Sequence, residues 1–176
     1  MKKQIVLLAL FAMLIGYSLL HQPQAQVATA EQKPEIGYQA PHFSLTGLDN
    51  QIYQHAGSRE KPLVINFWAS WCGPCRLEAP DLRKLYLKYQ KQVDFYAVNV
   101  TSNDDPVHAK AFVDAFQLPF PIPMDDKGEV ANLYRIHAFP TTFLIDKRGV
   151  VRQKIVGMLE PSQFEQEVKK LLTETK

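Results

Sequence analysis

The sequence has little with which to staple, metallate or electrostatically coat itself. Cysteine occurs twice in 176 residues, too few for a disulfide framework. The two cysteines stand three apart, as Cys72-Gly73-Pro74-Cys75. A bridge that closes so short a loop adds little stability through chain entropy, so chemistry is the better reason for the pair. No second Cys-x-x-Cys exists, and His42, His55, His108 and His137 are scattered along the chain, which argues against a structural zinc site. No run of lysine or arginine exceeds two residues. The formal net charge of +2 comes from Lys2 and Lys3, and beyond residue 30 there are 18 basic and 18 acidic residues. A phosphate-binding surface needs a clustered positive face, so nucleic acid is excluded as a partner class. Internal repeats and a second domain are also missing.

One long apolar run is present. Met1-Lys2-Lys3-Gln4 precedes residues 5–20, which only Gly16, Tyr17 and Ser18 soften. A basic flank followed by an apolar stretch is the pattern of an export signal, and it places whatever follows outside the cytoplasm. Two fates stay open. Cleavage near Ala30, at Ala28-Thr29-Ala30, would release the protein; without it the run is a single membrane anchor, short against the ~20 residues of an ordinary span. Residues 1–21 are therefore read as signal or anchor and 22–35, polar with two prolines, as a tether.

Residues 36–176 carry the pattern of one domain. Residues 42–45 and 51–54 alternate around the turn at Gly47-Leu48-Asp49-Asn50, which predicts an N-terminal hairpin. Residues 62–69 are nearly all apolar, as a central strand buried on both faces requires. A helix is predicted from about Pro74 to Gln90, with Leu77, Leu82, Leu85 and Tyr89 inward and a kink at Pro80. Then come a strand over 93–100, a helix over 106–116 capped by Asp104 or Asp105, and an extended segment at 121–124 whose prolines keep it from a central place. A short helix over 127–136 follows, then a hairpin of 141–145 and 150–156 about Asp146-Lys147-Arg148-Gly149, with Gly149 at positive φ. A last helix runs from Pro161 to about Thr173, with Phe164, Val168, Leu171 and Leu172 inward. The order predicts an α/β fold: a mixed central sheet flanked by helices on both faces, with an added N-terminal hairpin.

The dithiol falls where the central strand gives way to the first helix. A cysteine at a helix N-terminus meets free backbone N–H groups and the positive end of the helix dipole, which favour its thiolate. Cys72 is thus the candidate nucleophile, and Cys75, one turn on and more buried, the resolving thiol. Gly73 leaves the approach open, and Pro74 sits early in the helix where its missing N–H costs little. Glu78, three residues after Cys75, lies near the dithiol side of the helix, unless it is an ordinary surface glutamate.

The segment Phe67-Trp68-Ala69-Ser70-Trp71-Cys72-Gly73-Pro74-Cys75-Arg76 resembles the active site of the thioredoxin superfamily. With the leader, with Ala40-Pro41-His42-Phe43-Ser44-Leu45, Glu78-Ala79-Pro80 and Phe139-Pro140-Thr141-Thr142-Phe143-Leu144-Ile145-Asp146, it is similar to the exported, membrane-tethered ResA/TlpA-like branch. The likeness covers roughly residues 35–175 and implies a thioredoxin-like fold. It implies that Pro140 is the family's cis-proline beside the dithiol, and that Phe139 offers backbone groups to a bound substrate strand. Trp71 would flank the exposed sulfur, Gly157 would keep the groove open, and Trp68 is either near the site or core. Cytoplasmic thioredoxins carry a buried aspartate where this chain has Asn66, which cannot titrate. In the ResA-like branch a glutamate at the place of Glu78 is thought to tune the cysteine pKa values; its coupling to a thiolate would raise both.

Glycine and proline between the cysteines resemble reducing thioredoxins rather than oxidases. A reductase outside the cytoplasm needs electrons, and the family implies a membrane donor of the CcdA/DsbD type. Its clients would be exported protein thiols or disulfides, with apocytochrome c the commonest in this branch. Thiol exchange calls for no cofactor and no metal. The competing readings are a disulfide-forming oxidase, a thiol peroxidase, and a chaperone or binding module without turnover. The peroxidase pattern, Pro-x-x-x-Thr-x-x-Cys, is not met by the residues before Cys72.

Overall fold

The computed structural model describes residues 31–173. The expected signal or anchor at 1–21 and most of the tether lie outside the described residues. Among those described, no helix is long and apolar enough to cross a membrane.

The strands are β1 (Phe43–Thr46), β2 (Ile52–His55), β3 (Leu63–Trp68), β4 (Asp94–Asn99), β5 (Thr141–Ile145) and β6 (Val151–Val156). The helices are α1 (Gly73–Tyr89), α2 (Pro106–Phe116), α3 (Glu129–Leu133) and α4 (Pro161–Thr173). The main sheet has the order β4-β3-β5-β6, with β3 parallel to β4 and antiparallel to β5, and β5 antiparallel to β6. β1 and β2 pair as a separate antiparallel hairpin. The mixed sheet, the flanking helices and the N-terminal hairpin are those the sequence predicts.

β3 is buried at all six positions, because both its faces are covered. Val64 and Trp68 join Phe95, Ala97 and Leu144 on one face, beneath Leu82 and Leu85 of α1, Phe112 of α2, and Phe164 and Val168 of α4. Ile65 and Phe67 join Val98, Phe143 and Ile145 on the other, against Val130 of α3, Tyr134, Phe43 and Ala40. The alternation is the period of two of a pleated strand.

The proline-bearing segment at 121–124 shows how its residues fit an edge. Pro121 and Pro123 have no N–H to donate, but their carbonyls accept from Ala97 and Asn99 of β4 at 3.0 and 2.9 Å. Its other side bonds the hairpin: Met124 N–H donates to Thr46 O, and Leu48 N–H to Ile122 O, each at 2.9 Å. This segment therefore ties the small hairpin to the main sheet.

Three expectations gain detail. Leu77 points outward and is 69% exposed, against the expected inward place. The buried stripe of α1 runs Cys75, Glu78, Ala79, Leu82, Leu85, Tyr89, and Leu77 lies five residues from Leu82, about 140° around the helix. In the turn between β5 and β6, Gly149 has φ +81, and a side chain there would meet the Gly57 carbonyl at 2.7 Å, so glycine is required. The helix over 106–116 is capped by Asp105, whose carboxylate accepts from Val107 and His108 N–H; Asp104 is used otherwise.

The chain enters the domain far from the cysteines. Ala40 N–H donates to Gly149 O at 2.8 Å and Val151 N–H to Tyr38 O at 2.9 Å, beside the Asp146–Gly149 turn. β3 starts next to that turn, where Leu63 pairs with Ile145, and ends at Trp68, four residues before Cys72.

Candidate active site

Cys72 is the N-cap of α1, and its Sγ accepts the Cys75 backbone N–H at 3.1 Å. The two cysteines are joined as a disulfide. Both are nearly enclosed in this oxidised form, Cys72 at 3% and Cys75 at 4% exposure, so the expected contrast in burial between them is not seen. Residues around them are open: Gly73 has no neighbour within 4 Å of where a Cβ would stand. Pro74 lies in the first turn of α1, where a missing N–H leaves no bond unmade. α1 continues unbroken through Pro80.

Glu78 is not a surface residue. It is 5% exposed, on the same helical stripe as Cys75. Its Oε2 accepts from Asn66 Nδ2 at 3.2 Å, and the same amide nitrogen donates to Thr142 Oγ1 at 2.9 Å. Asn66 and Cys75 also line one small cavity, so the residue that bonds the carboxyl lies in the same neighbourhood as the dithiol. Burial raises the Glu78 pKa from 4.5 to about 7, against the opposing effect of the Asn66 bond; the Asp81 charge adds to the rise. The rise is present with the thiols oxidised, so it needs no thiolate beside it. On its far side Glu78 borders a surface groove of about 660 Å³, with Asp81, Leu85, Met158, Leu159 and Phe164 among its walls. That groove gives the carboxyl a route to water.

The Phe139–Pro140 peptide bond is cis, and it leads into β5. The Phe139 ring meets Trp71 edge-on at 5.8 Å between centroids. Trp71 is 60% exposed next to Cys72, and its indole N–H donates to Asn103 O at 2.8 Å. Trp68 resolves as core: it is buried against Phe112 at 4.5 Å, with its indole N–H on Ala97 O. Gly157 has φ +85 and no atom within 4 Å of where a Cβ would stand, so its backbone conformation, rather than crowding by this chain, calls for glycine. Its N–H donates to Pro140 O at 2.8 Å, which joins the end of β6 to the cis-proline loop.

Ser70, Asn103, Asp104 and Thr142 also belong to this neighbourhood, and the sequence assigns none of them to the site, Asp104 being read there only as a possible helix cap. Asp104 lies 34 residues from Ser70 yet receives two hydrogen bonds from it, and no periodic signal announces such a contact. His42 and His55 meet edge-on at 5.8 Å between centroids; among the described residues, no group of three or more His, Cys, Asp or Glu is placed to hold a metal ion.

Comparison with known proteins decides the family. The AhpC/TSA family matches residues 36–154. ResA, a thiol–disulfide oxidoreductase of Bacillus thuringiensis subsp. konkukian, is 34% identical over 169 residues, spanning 96% of this chain and 94% of that one. The chain belongs to the thioredoxin-like thiol–disulfide oxidoreductases of the ResA/DsbE type. The thioredoxin-like protein YneN of Bacillus subtilis is 36% identical over 162 residues, 90% of this chain and 93% of its own. Among solved structures, a DsbE-type thiol:disulfide interchange protein from Chlorobium tepidum superposes with a TM-score of 0.70 at 32% identity, covering 78% of this chain and 98% of that one. As a ResA/DsbE-type protein with a disulfide-forming Cys72–Cys75 pair, this chain is a redox enzyme.

Proposed function

We propose that this oxidoreductase works outside the cytoplasm as a reductase, tethered to the outer face of the cell membrane by residues 1–21. Cys72 is the nucleophile. Its thiolate attacks a substrate disulfide, one substrate sulfur leaves as a thiol, and a mixed disulfide remains. The Cys75 thiol loses its proton and attacks Cys72 Sγ, releasing the second substrate thiol. The chain gives up two electrons and ends as the Cys72–Cys75 disulfide. The observation that carries the exchange mechanism is the Cys72 Sγ at the helix cap, accepting the Cys75 N–H at 3.1 Å, with a buried carboxyl on the same helix face; Gly73 and Pro74 between the cysteines support the reducing direction.

Glu78 takes the proton that Cys75 must lose, since Asn66 cannot, and passes it to water through the groove it borders. Trp71, Gly73, Pro74, Phe139 and Pro140 form the substrate surface. The open space at Gly73 and the exposed Trp71 ring against Phe139 support that assignment.

A membrane thiol-transfer protein of the CcdA/DsbD type re-reduces the pair, and exported proteins with wrong or premature disulfides are the clients. The chain enters the domain beside the Asp146–Gly149 turn, far from the dithiol, so the tether leaves the active site free to reach either partner. Apocytochrome c is the client this reading favours. The test is to mix the reduced chain with an oxidised peptide carrying Cys-x-x-Cys-His. Transfer of both electrons, seen as two new peptide thiols by mass, is expected. A peptide that stays oxidised while insulin is reduced would remove apocytochrome c and leave the reductase.

The AhpC/TSA match invites a peroxidase reading. Phe67-Trp68-Ala69-Ser70-Trp71 before Cys72 supplies neither the threonine nor the proline of a peroxidatic site, and Cys75 resolves within the same helix turn. Those residues favour disulfide exchange.

A further inference from the structure

Ser70 and Trp71 precede the nucleophile in a turn that belongs to no helix or strand. Something must hold that turn, because backbone dihedrals between two regular elements are otherwise free to vary. The segment after β4 supplies the grip. Asp104 Oδ2 accepts Ser70 N–H at 2.6 Å and Asn99 Nδ2 at 2.8 Å. Asp104 Oδ1 accepts Ser70 Oγ at 2.6 Å and Asp105 N–H at 2.8 Å. A carboxylate offers about four lone-pair sites, and here each receives a donor. Asn99 is itself fixed, since its Oδ1 accepts Thr101 Oγ1 at 2.9 Å. One residue earlier in the same segment, Asn103 O accepts the Trp71 indole N–H at 2.8 Å. The turn before Cys72 is thus held at its backbone by Asp104 and at its side chain by Asn103.

We propose that Asp104 is a positioning residue for protein substrates: by clamping Ser70, it keeps the exposed Trp71 ring against Phe139 as one wall of the substrate surface. This deepens the reductase reading and rests on it. The role requires an ionised carboxylate, because an acid or an amide cannot accept four donors. The hydrogen bonds from Ser70, Asn99 and Asp105 hold the Asp104 pKa below the usual carboxylate range despite partial burial. The clamp therefore stays closed throughout the neutral range. Asp104 touches neither sulfur, so it acts through Ser70 and Trp71 and not in the exchange itself.

The substitution Asp104→Asn keeps the shape and reverses the polarity of one atom. Its amide nitrogen would face donors, either Ser70 N–H and Asn99 Nδ2 or Ser70 Oγ and Asp105 N–H. The experiment compares two oxidants with the full-length reduced chain: insulin, which must dock, and oxidised glutathione, which needs little surface. For Asp104→Asn, the expected result is a rise of about tenfold in KM for insulin, the size of losing charge-assisted bonds, with less than about a threefold change for glutathione. Ser70→Ala removes one bond and leaves the carboxylate, and a rise of about threefold with insulin alone is expected. Unchanged insulin KM, or equal losses with both oxidants, would overturn the positioning role. If Asp104→Asn does not fold, Ser70→Ala decides alone by the same criteria. A wild-type chain that reduced neither oxidant would instead overturn the reductase reading on which the proposal stands.

Discussion

A Cys72→Ser chain is expected to lose disulfide reduction altogether, whereas Cys75→Ser is expected to attack its substrate and stop there. Serine at the helix cap keeps the hydrogen bond from the Cys75 N–H but offers no nucleophilic sulfur. With Cys75 gone, Cys72 still forms the mixed disulfide, but no neighbouring thiol remains to resolve it. Non-reducing gels of each variant mixed with oxidised insulin check this directly: adducts with Cys75→Ser, none with Cys72→Ser. Adducts on Cys75 in the Cys72 variant would reverse the roles assigned to the two sulfurs. Full turnover in the Cys72 variant would end the dithiol mechanism. A binding module or chaperone reading would predict that neither variant loses anything, since substrate holding needs no sulfur.

The second large effect concerns stability against pH, where two buried groups work in opposite directions. Burial lifts Glu78 from 4.5 to about 7, which corresponds to about 3 kcal/mol. Below pH 4.5 the group is protonated in both folded and unfolded chains, and its contribution is fully present. As pH rises through 7 the folded chain must ionise a buried carboxyl, and the contribution is lost. His55 runs the other way. It is 1% exposed in the hairpin, and neither ring nitrogen has a hydrogen-bond partner among the described residues. Desolvation first, then the Arg59 and His42 charges, lower its pKa from 6.5 to about 4, again about 3 kcal/mol; the nearby Ala40 backbone opposes the shift without closing a hydrogen bond of good geometry. Above 6.5 the imidazole is neutral in both states and its contribution is complete. As pH falls toward 4 the unfolded chain takes up the proton, the folded chain does not, and the contribution is lost.

Between about pH 4.5 and 6.5 the two slopes nearly cancel. The oxidised wild-type chain is therefore expected to show a nearly level urea-unfolding free energy from these two groups across that window. Glu78→Gln exposes the His55 slope, so stability rises with pH. His55→Phe exposes the Glu78 slope, so stability falls with pH. A Glu78→Gln curve parallel to wild type would show that the carboxyl is not held neutral by burial. The same variant is expected to alter the thiol titration of the reduced chain, because it deletes the proposed proton acceptor, the carboxyl that bonds Asn66.

Much of this was legible in the sequence because local chemistry and fold agreed. The apolar run at 62–69 became β3, buried throughout, and Asp146-Lys147-Arg148-Gly149 became a turn with Gly149 at positive φ. Cys72 at the helix cap and Glu78 one turn beyond Cys75 follow from residue spacing alone. Leu77 was misplaced because a count of leucines does not reveal which stripe of α1 is buried; the stripe is set by the sheet beneath it. Asp104 escaped for another reason. Its position before Pro106 made it a plausible cap, and Asp105 took that role. Of the partners of Asp104, Asn99 lies five residues back at the end of β4, but Ser70 follows β3, and the parallel pairing of β3 with β4 brings it there. Thr142 reaches Asn66 in the same way, across the antiparallel pairing of β3 with β5. Long-range polar contacts of this kind have no period and no local motif.

Direction of electron flow is the central claim, and the reduction potential of the Cys72–Cys75 pair measures it. The full-length chain would be equilibrated against defined dithiol buffers, and the fraction of disulfide read by alkylation and mass. A value near that of thioredoxin, about −270 mV, is expected and would make the chain a reductase, as the proposed membrane donor requires. A value near about −120 mV, the range of strong oxidases, would contradict it: the same dithiol would then install disulfides in exported chains, and the assignment of clients would reverse.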